Sequence, residues 1–174
     1  MAALIGRCVY PLEHYPYWEA RLGRFLPNST AFGENFSVTG LLETDVHLGD
    51  QFRVGQAIVQ VSMMREPCYK LAARFQEPKM ALYLQQEGRT GFFLRVLQEG
   101  LVTVGDTLDL IAREDHGIIV AEANRIINVD RYDIERARRL LAVPSLARRW
   151  RAVLEQRAGG AQYGIDSERL FLPE

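Results

Sequence analysis

A cysteine among basic residues lies in one short stretch of the chain, Val61 to Phe75, which reads VSMMREPCYKLAARF. An apolar, strand-like run leads to Arg65, and Cys68 stands just ahead of a helix-like run that carries Lys70 and Arg74. Positive charge and the N-terminal end of a helix both lower the pKa of a thiol. A thiolate is a nucleophile or a soft metal ligand. The alternative is that Cys68 is a small buried hydrophobic residue, as most free cysteines are.

The composition indicates a folded domain of ordinary type. The chain has 174 residues, of which 48% are hydrophobic and 25% charged, and this excludes a disordered protein. Its net charge of -1 excludes a uniformly basic nucleic-acid binder. The cysteines, Cys8 and Cys68, are far apart, so we expect two reduced thiols in a cytoplasmic protein. No apolar run is long enough for a transmembrane helix, so no membrane partner is expected.

Short strands separated by turns dominate the first two thirds of the chain. The pattern V-x-[LV]-G-D-x-[FL]-x-[VL] occurs twice, at 46–54 and at 102–110, and its Gly-Asp pair is typical of a turn between alternating segments. We therefore predict a mainly β, barrel-like fold with interspersed short helices in residues 1–127. A helical segment at 128–158 and a tail at 159–174 complete the predicted organisation.

One predicted strand carries a charge among apolar residues. Phe92 to Leu97 alternates so that both faces are apolar apart from Arg95. Because a charge on an apolar strand needs a partner, Arg95 either forms a structural ion pair, which is the favoured interpretation, or meets an anionic ligand.

From Asn128 onwards the hydrophobic period changes from two to about 3.6 residues. Asp130 is the predicted N-cap of a first helix, and Pro144-Ser145 the predicted start of a second. Between 131 and 157 eight arginines stand against three acidic residues, a local net charge of +5. These arginines make nucleic-acid binding an alternative function, but no nucleic-acid motif accompanies them.

The histidines and scattered carboxylates do not predict a metal site. His14, His47 and His116 lack the spacing of metal ligands, so structural or exposed positions are expected. The carboxylates Glu34, Asp50 and Glu66 are expected to serve turns and salt bridges.

Five blocks of sequence occur in one order that resembles a known family. They are FGENF (32–36), LGDQFRVG (48–55), REPCYKLAARF (65–75), GRTGFFLRVLQEG (88–100) and VGDTLDL (104–110). Together they resemble the MOSC domain, named for the C-terminal domain of molybdenum cofactor sulfurase, and within it the YiiM-like hydroxylaminopurine-resistance branch. Residues 129–157 resemble the three-helix segment that follows the domain in that branch.

This resemblance implies a β-barrel-type fold that binds the molybdenum cofactor, molybdopterin. Cys68 matches the cysteine expected to ligate molybdenum, and Arg65, Arg89 and Arg95 are the candidates for the pterin phosphate. Asn35 is expected to hydrogen-bond the cofactor or to fix a turn. The branch is associated with reduction of N-hydroxylated bases and related compounds, with electrons delivered by a redox-protein partner.

The start of the chain departs from the family pattern. The Gly-Asp and His-Gly-Gly sections expected to line the cofactor pocket have no counterpart in MAALIGRCVY, and Met63-Met64 stands where Gln-Pro is usual. The resemblance thus implies a domain that lacks its N-terminal part and has open sheet edges, or one completed by a second chain, as in a homodimer. Two alternatives to an oxidoreductase follow: a non-catalytic carrier of the cofactor or of sulfur, and a degenerate domain without cofactor.

Overall fold

A single six-stranded sheet organises the computed structural model, which describes residues 6–160 and 167–171. The strands are β1 (Arg7–Pro11), β2 (Phe36–Val38), β3 (Gln51–Val54), β4 (Ala57–Met64), β5 (Phe92–Gln98) and β6 (Leu108–Ala112). Their order in the sheet is β2-β1-β5-β4-β3-β6, and only the β1–β2 pair is parallel. The sheet curls into a half-barrel, which confirms the predicted mainly β, barrel-like fold. β2 and β6 form its two edges.

Short helices fill the connections between the strands, as predicted. They are α1 (Tyr15–Leu22), α2 (Tyr69–Phe75), α3 (Met80–Glu87), α4 (Val120–Asn128), α5 (Ile134–Leu141), α6 (Arg148–Ala158) and α7 (Ser167–Leu170), with a 3-10 turn at Leu12–His14 ahead of α1. Among the described residues, no helix is both long and apolar enough to cross a membrane. Helix α3 ends at Gly88, which takes a positive φ of 70° and closes the helix.

The two copies of the repeated motif form neighbouring strands. β3 and β6 pair antiparallel, so that Phe52 faces Leu110 and Val54 faces Leu108. Each copy closes its turn in the same way: Asp50 Oδ2 accepts a hydrogen bond from His47 N at 2.9 Å, and Asp106 Oδ2 accepts one from Thr103 N at 2.7 Å. The copies differ in burial, because β3 is an inner strand whereas β6 is an edge strand.

Two hydrophobic cores lie beside the sheet. The larger joins the strands to α4, α5 and α6, and includes Trp150 and Leu154. The smaller is aromatic and joins α1, α2 and α3 through Trp18, Phe32 and Phe75. Tyr10 stacks on Phe32 there with ring centroids 4.2 Å apart. This smaller core supports the stretch that carries Cys68, since α2 begins directly after that residue.

The helical segment differs in detail from its prediction. A helix that the periodicity did not indicate, α4, begins at Val120, and α5 is capped by Asp133, whose side chain accepts from Arg136 N. Asp130 instead receives the side chains of Arg125 and Arg136, each at 2.7 Å. The second predicted helix begins later as well, at Arg148, because residues 144–147 form a turn.

Two further features concern the end of a helix and the tail of the chain. Helix α1 ends at Leu22, because Gly23 takes a left-handed φ of 64° and turns the chain. Phe25 is 92% exposed as a result. In the tail predicted at 159–174, Leu170 is fully buried, whereas Tyr163 and Ile165 lie outside the described residues.

Candidate functional site

Cys68 lies at the junction between a strand and a helix, as predicted. β4 ends at Met64, a stretch without regular secondary structure follows, and Cys68 is the N-cap residue of α2. Its backbone is extended, with φ -136° and ψ 170°, and its carbonyl accepts a hydrogen bond from Leu71 N at 2.9 Å. The thiol is free and half-buried. The thiol makes no capping hydrogen bond to the helix, and its partial exposure leaves it accessible to a small ligand.

The charge of Arg65 acts on the other cysteine, Cys8. The side-chain Nη2 of Arg65 donates to the carbonyl oxygen of Phe32 at 2.6 Å. Burial raises the pKa of Cys8, and the charge of Arg65 opposes that rise. Arg65 Nη1 is buried and has no hydrogen-bond partner within residues 6–160 and 167–171. A buried cationic donor left without an acceptor is costly, so Arg65 is suited to an added anionic group.

Asn35 joins the same group of residues. Its Oδ1 accepts from Cys8 N at 2.9 Å, and its own backbone N donates to Cys8 O at 2.8 Å. Asn35 thus ties the segment before β2 to β1 at Cys8, the residue whose thiol pKa the charge of Arg65 lowers. Its two predicted roles, a hydrogen bond to the cofactor or the fixing of a turn, stay predictions. Its side chain is exposed, and it lines two grooves of about 470 and 930 Å³. Neither groove includes Cys68 in its lining; the larger lies between the sheet edges β2 and β6.

Arg89 is held by two aromatic side chains. Its Nη1 donates to His14 Nδ1 at 2.9 Å, and its guanidinium lies over the ring of Tyr17, 4.3 Å from the centroid. Its backbone carbonyl accepts from Tyr10 Oη at 3.0 Å. The turn that follows is tied to the cysteine stretch, because Arg65 N donates to Gly91 O at 3.0 Å. Arg89 therefore belongs to the same end of the sheet as Arg65.

A buried histidine and carboxylate support this turn, and the sequence did not predict them. His14 Nε2 lies 2.7 Å from Glu43 Oε2, and Glu43 Oε1 accepts from Gly91 N at 2.6 Å. Since a guanidinium is only a donor, His14 Nδ1 must accept from Arg89, which places the ring proton on Nε2, facing Glu43. His14 and Glu43 are 5% and 3% exposed. No spacing rule links residues so far apart, so only the fold shows their contact.

Arg95 has contacts of another kind. It lies on β5 opposite Gln60, and its Nη2 donates to the carbonyl oxygen of Ser145, in the turn between α5 and α6. Burial lowers the pKa of Arg95, and the nearby charge of Glu114 opposes that shift. Arg95 thus attaches the helical segment to the sheet. The contact is structural, but it is a hydrogen bond to a carbonyl oxygen and not the ion pair favoured from the sequence. The structure does not join it to Arg65 or Asn35 through any of these contacts.

The three carboxylates that the sequence assigned to turns and salt bridges have partners within the fold. Asp50 pairs with Arg113 at 2.7 Å, Glu34 accepts from Tyr15 Oη at 2.5 Å, and Glu66 lies 3.5 Å from Arg149. No group of three or more His, Cys, Asp or Glu side chains in the described part of the chain could hold a metal ion.

The arginine-rich helices use their charges mostly within the fold. Arg157 donates to the carbonyls of Ile126 and Ile127 at the end of α4, and Arg151 donates to those of Leu141 and Val143 at the end of α5. Carbonyls at helix ends lack partners of their own, so these arginines act as C-terminal caps. Two more, Arg136 and Arg139, form ion pairs with acidic side chains. The local charge of this segment therefore gives little support to nucleic-acid binding.

Comparison with known proteins identifies both parts of the chain. Residues 7–109 match the model of the MOSC domain, and residues 120–157 match that of the YiiM-like, 3-alpha helix domain. The uncharacterized protein YflK of Bacillus subtilis is 50% identical over 145 residues, which are 83% of this chain and 65% of that protein. The chain thus spans less than two thirds of the length of this relative.

Two further similarities concern structure and naming. The crystal structure of YiiM from Escherichia coli superposes with a TM-score of 0.87 at 34% identity, covering 95% of this chain and 83% of that one. A protein of Gibberella moniliformis named "Reductase" is 34% identical over 121 residues, which are 68% of this chain but 22% of that protein. The fold, the sequence blocks and the helical segment consequently agree on one family.

Proposed function

Because the chain belongs to the MOSC domain family and carries the YiiM-like three-helix domain, we propose that it binds the molybdenum cofactor and acts as an oxidoreductase. The observation that carries this proposal is the free, half-buried thiol of Cys68 at the start of α2, in the REPC block shared with the family. A soft thiolate is a suitable ligand for a transition metal.

The residues present fit such a cofactor. Cys68 would ligate molybdenum, and the buried, unpartnered Nη1 of Arg65 would donate to an anionic oxygen of the cofactor. Arg89, held in place by His14 and Tyr17, would supply a second positive charge, and Asn35 an exposed amide beside the grooves. When bound, the cofactor supplies the redox chemistry. The role of these side chains is to bind it and to orient it.

The substrate class follows from the family branch. We propose that N-hydroxylated bases and related compounds are reduced, with electrons delivered by a redox-protein partner. The similarity to a fungal protein named "Reductase" supports reduction as the type of reaction, although the match covers only a small part of that protein. Two free cysteines support a reducing compartment, so we propose the cytoplasm as the location.

A non-catalytic carrier is the second candidate. The observation that favours it concerns Asn35, a candidate cofactor residue, which lines a wide groove of about 930 Å³ between the two edges of the half-barrel and so leaves its side of the candidate site open. A catalytic site that must exclude water is better enclosed than this. A carrier would hold molybdenum cofactor, or a sulfur atom on Cys68, without turnover.

Metal analysis tests the proposal directly. Protein is produced in a host that makes the cofactor, and molybdenum is measured by mass spectrometry in the wild type, in Cys68→Ser and in the matched control Cys8→Ser. We expect molybdenum in the wild type and in Cys8→Ser, and its loss in Cys68→Ser. Reduction of an N-hydroxylated purine by the loaded protein, with a chemical electron donor, then separates the oxidoreductase from the carrier. Molybdenum and activity both retained in Cys68→Ser would overturn the role of Cys68.

A further inference from the structure

The C-terminal segment of the chain packs against the element that carries Cys68. Helix α7 (Ser167–Leu170) contacts α2, and Leu170 is fully buried there. Burial of a leucine side chain contributes about 2 kcal/mol, which is enough to hold a short segment in place. The segment therefore belongs to the folded body, although it lies about 100 residues beyond Cys68 in the sequence.

One side chain of this segment reaches the loop directly before Cys68. Arg169 Nη1 donates to the carbonyl oxygen of Pro67, and its Nη2 donates to Gln85 Oε1 at 3.0 Å. Its Nε lies 3.8 Å from Glu66 Oε1, and the side chains of Arg169 and Glu66 are only 13% and 12% exposed. Gln85 is itself buried on α3. A single guanidinium thus joins the loop to a neighbouring helix.

The loop has little backbone structure of its own to fix it. Residues 65–68 form neither helix nor strand, and the bond from Arg65 N to Gly91 O ties its first residue to the sheet. Glu66 and Pro67 are then held by side chains from distant parts of the chain, Arg149 and Arg169. A loop fixed mainly by side chains opens more readily when one of them is removed.

We propose that Arg169 is a positioning residue for Cys68, and that α7 acts as a clamp on residues 66–68. With the clamp in place, the loop carries the thiol in one position and limits its exposure to solvent. Without it, the loop opens locally while the sheet and the two cores stay folded. The inference relies on the proposed function only in treating Cys68 as a ligand; the clamp itself is a property of the fold.

The two cysteines together provide the test. Folded, metal-free protein is treated with iodoacetamide, and alkylation of Cys68 and of Cys8 is followed separately by peptide mass spectrometry. For Arg169→Ala we expect the Cys68 rate to rise about five-fold, the population change that a loss of ~1 kcal/mol produces. Cys8, which is 6% exposed, is expected to stay protected. Arg138→Ala, on the exposed face of α5, serves as the matched control and leaves both rates unchanged.

Two conservative variants sharpen the result. Arg169→Lys keeps a positive charge beside Glu66 but cannot donate in the planar fork that reaches both Pro67 and Gln85, so an intermediate Cys68 rate is expected. Glu66→Gln removes one ionic partner, keeps the shape of the side chain, and should raise the Cys68 rate by a smaller factor. If Arg169→Ala does not fold, Arg169→Lys and Glu66→Gln test the clamp instead. In each variant, the alkylation rate of Cys68 is compared with that of the wild type.

An unchanged Cys68 rate in all three variants would overturn the clamp. A parallel rise at Cys8 would overturn it as well, because it would show that Arg169 only stabilises the whole fold. Molybdenum content reports on the proposed function separately. If Cys68→Ser keeps its molybdenum while Arg169→Ala still exposes the thiol, the ligand role fails and the clamp stands.

Discussion

The positive charge of Arg65 lowers the pKa of the Cys8 thiol against the effect of burial, although Cys68 is far closer to Arg65 in the sequence. β1 brings Cys8 beside β5, and the loop after β4 brings Arg65 to the same end of the sheet. Cys8 is consequently a buried thiol beside a cation, whereas Cys68 is a half-buried thiol at a helix start. The thiol of Cys68 is therefore more accessible to solvent than that of Cys8.

This difference predicts a selective reaction in the folded wild type. A thiol-specific reagent needs contact with the sulfur, so Cys68 should be alkylated and Cys8 protected, with rates at least about ten-fold apart. Timed alkylation with iodoacetamide at neutral pH, read by peptide mass spectrometry, measures both rates. In urea the two rates should converge. Equal rates in the folded protein would contradict the burial of Cys8.

Alkaline pH should destabilise the fold through buried neutral acids. Burial raises the pKa of Cys8 above its ordinary 9.0 and that of Tyr10 well above its ordinary 10.0. In the unfolded chain these groups release their protons at the ordinary values, so their contribution to stability is complete below pH 9 and declines as pH rises further. Urea unfolding at pH 7.5, 9, 10 and 11 measures the decline.

Replacing Cys8 tests its share of that decline. Cys8→Ala removes the thiol, so the loss of unfolding free energy between pH 8.5 and 10 should be smaller than in the wild type, while the loss above pH 10 persists because of Tyr10. Cys68→Ala is the matched comparison. An identical decline in the wild type and in Cys8→Ala would contradict a raised pKa of Cys8.

Local patterns predicted the strands and turns well, for a physical reason. Alternation of apolar residues and Gly-Asp turns depends on neighbours in the sequence, and β3, β5 and the turn at Gly105-Asp106 are where these patterns place them. Helix α4 was missed, because its buried stripe follows a β-like stretch and its N-cap, Ile119, offers no capping side chain. Helix starts without caps give little signal in a sequence.

The two motif copies allow a matched test of burial. In each copy the aspartate accepts from the backbone N–H three residues earlier, but Asp50 is fully buried and also pairs with Arg113, whereas Asp106 is exposed. Asp50→Ala should lower the free energy of unfolding by about 2–4 kcal/mol, because a buried N–H and a cation lose their acceptor. Asp106→Ala should lower it by less than about 1 kcal/mol. Urea titrations compare the two, and equal losses would contradict the difference in burial.

The contacts of the candidate site were less predictable than its residues. The block REPC pointed to Cys68 and Arg65, yet the support of Arg89 by His14 and Glu43 joins segments that are 75 and 29 residues apart. Such contacts depend on how the 3-10 turn, the loop before β3 and the turn before β5 meet. No local sequence pattern predicts a contact between such distant segments. The sequence therefore pointed to Arg89 but not to His14 and Glu43, which support it.

Removing His14 should weaken this end of the sheet. His14→Ala leaves the buried carboxylate of Glu43 without its imidazole partner, and we expect a loss of about 2–4 kcal/mol in the free energy of unfolding. His14→Gln can both donate to Glu43 and accept from Arg89, so it should recover part of the loss. Gln86→Ala, exposed on α3, is the control and should have no effect. Equal stability of His14→Ala and the wild type would show that the network does not support the fold.

Arg95 and Arg65 should differ in their effect on the cofactor. Arg95→Met removes the bond to Ser145 but also a buried Nε that lacks a partner in the described structure. These effects oppose each other, so the free energy of unfolding should stay within about 1 kcal/mol of the wild type.

Molybdenum content should be unchanged in Arg95→Met, because the contacts of Arg95 face the helical segment. Arg65→Met should lower molybdenum content, since it removes the buried Nη1 donor that lacks a partner in the described structure. Metal analysis of the folded fraction, isolated by gel filtration, compares the two variants. An equal loss of molybdenum in both would place Arg95 among the cofactor-binding residues after all.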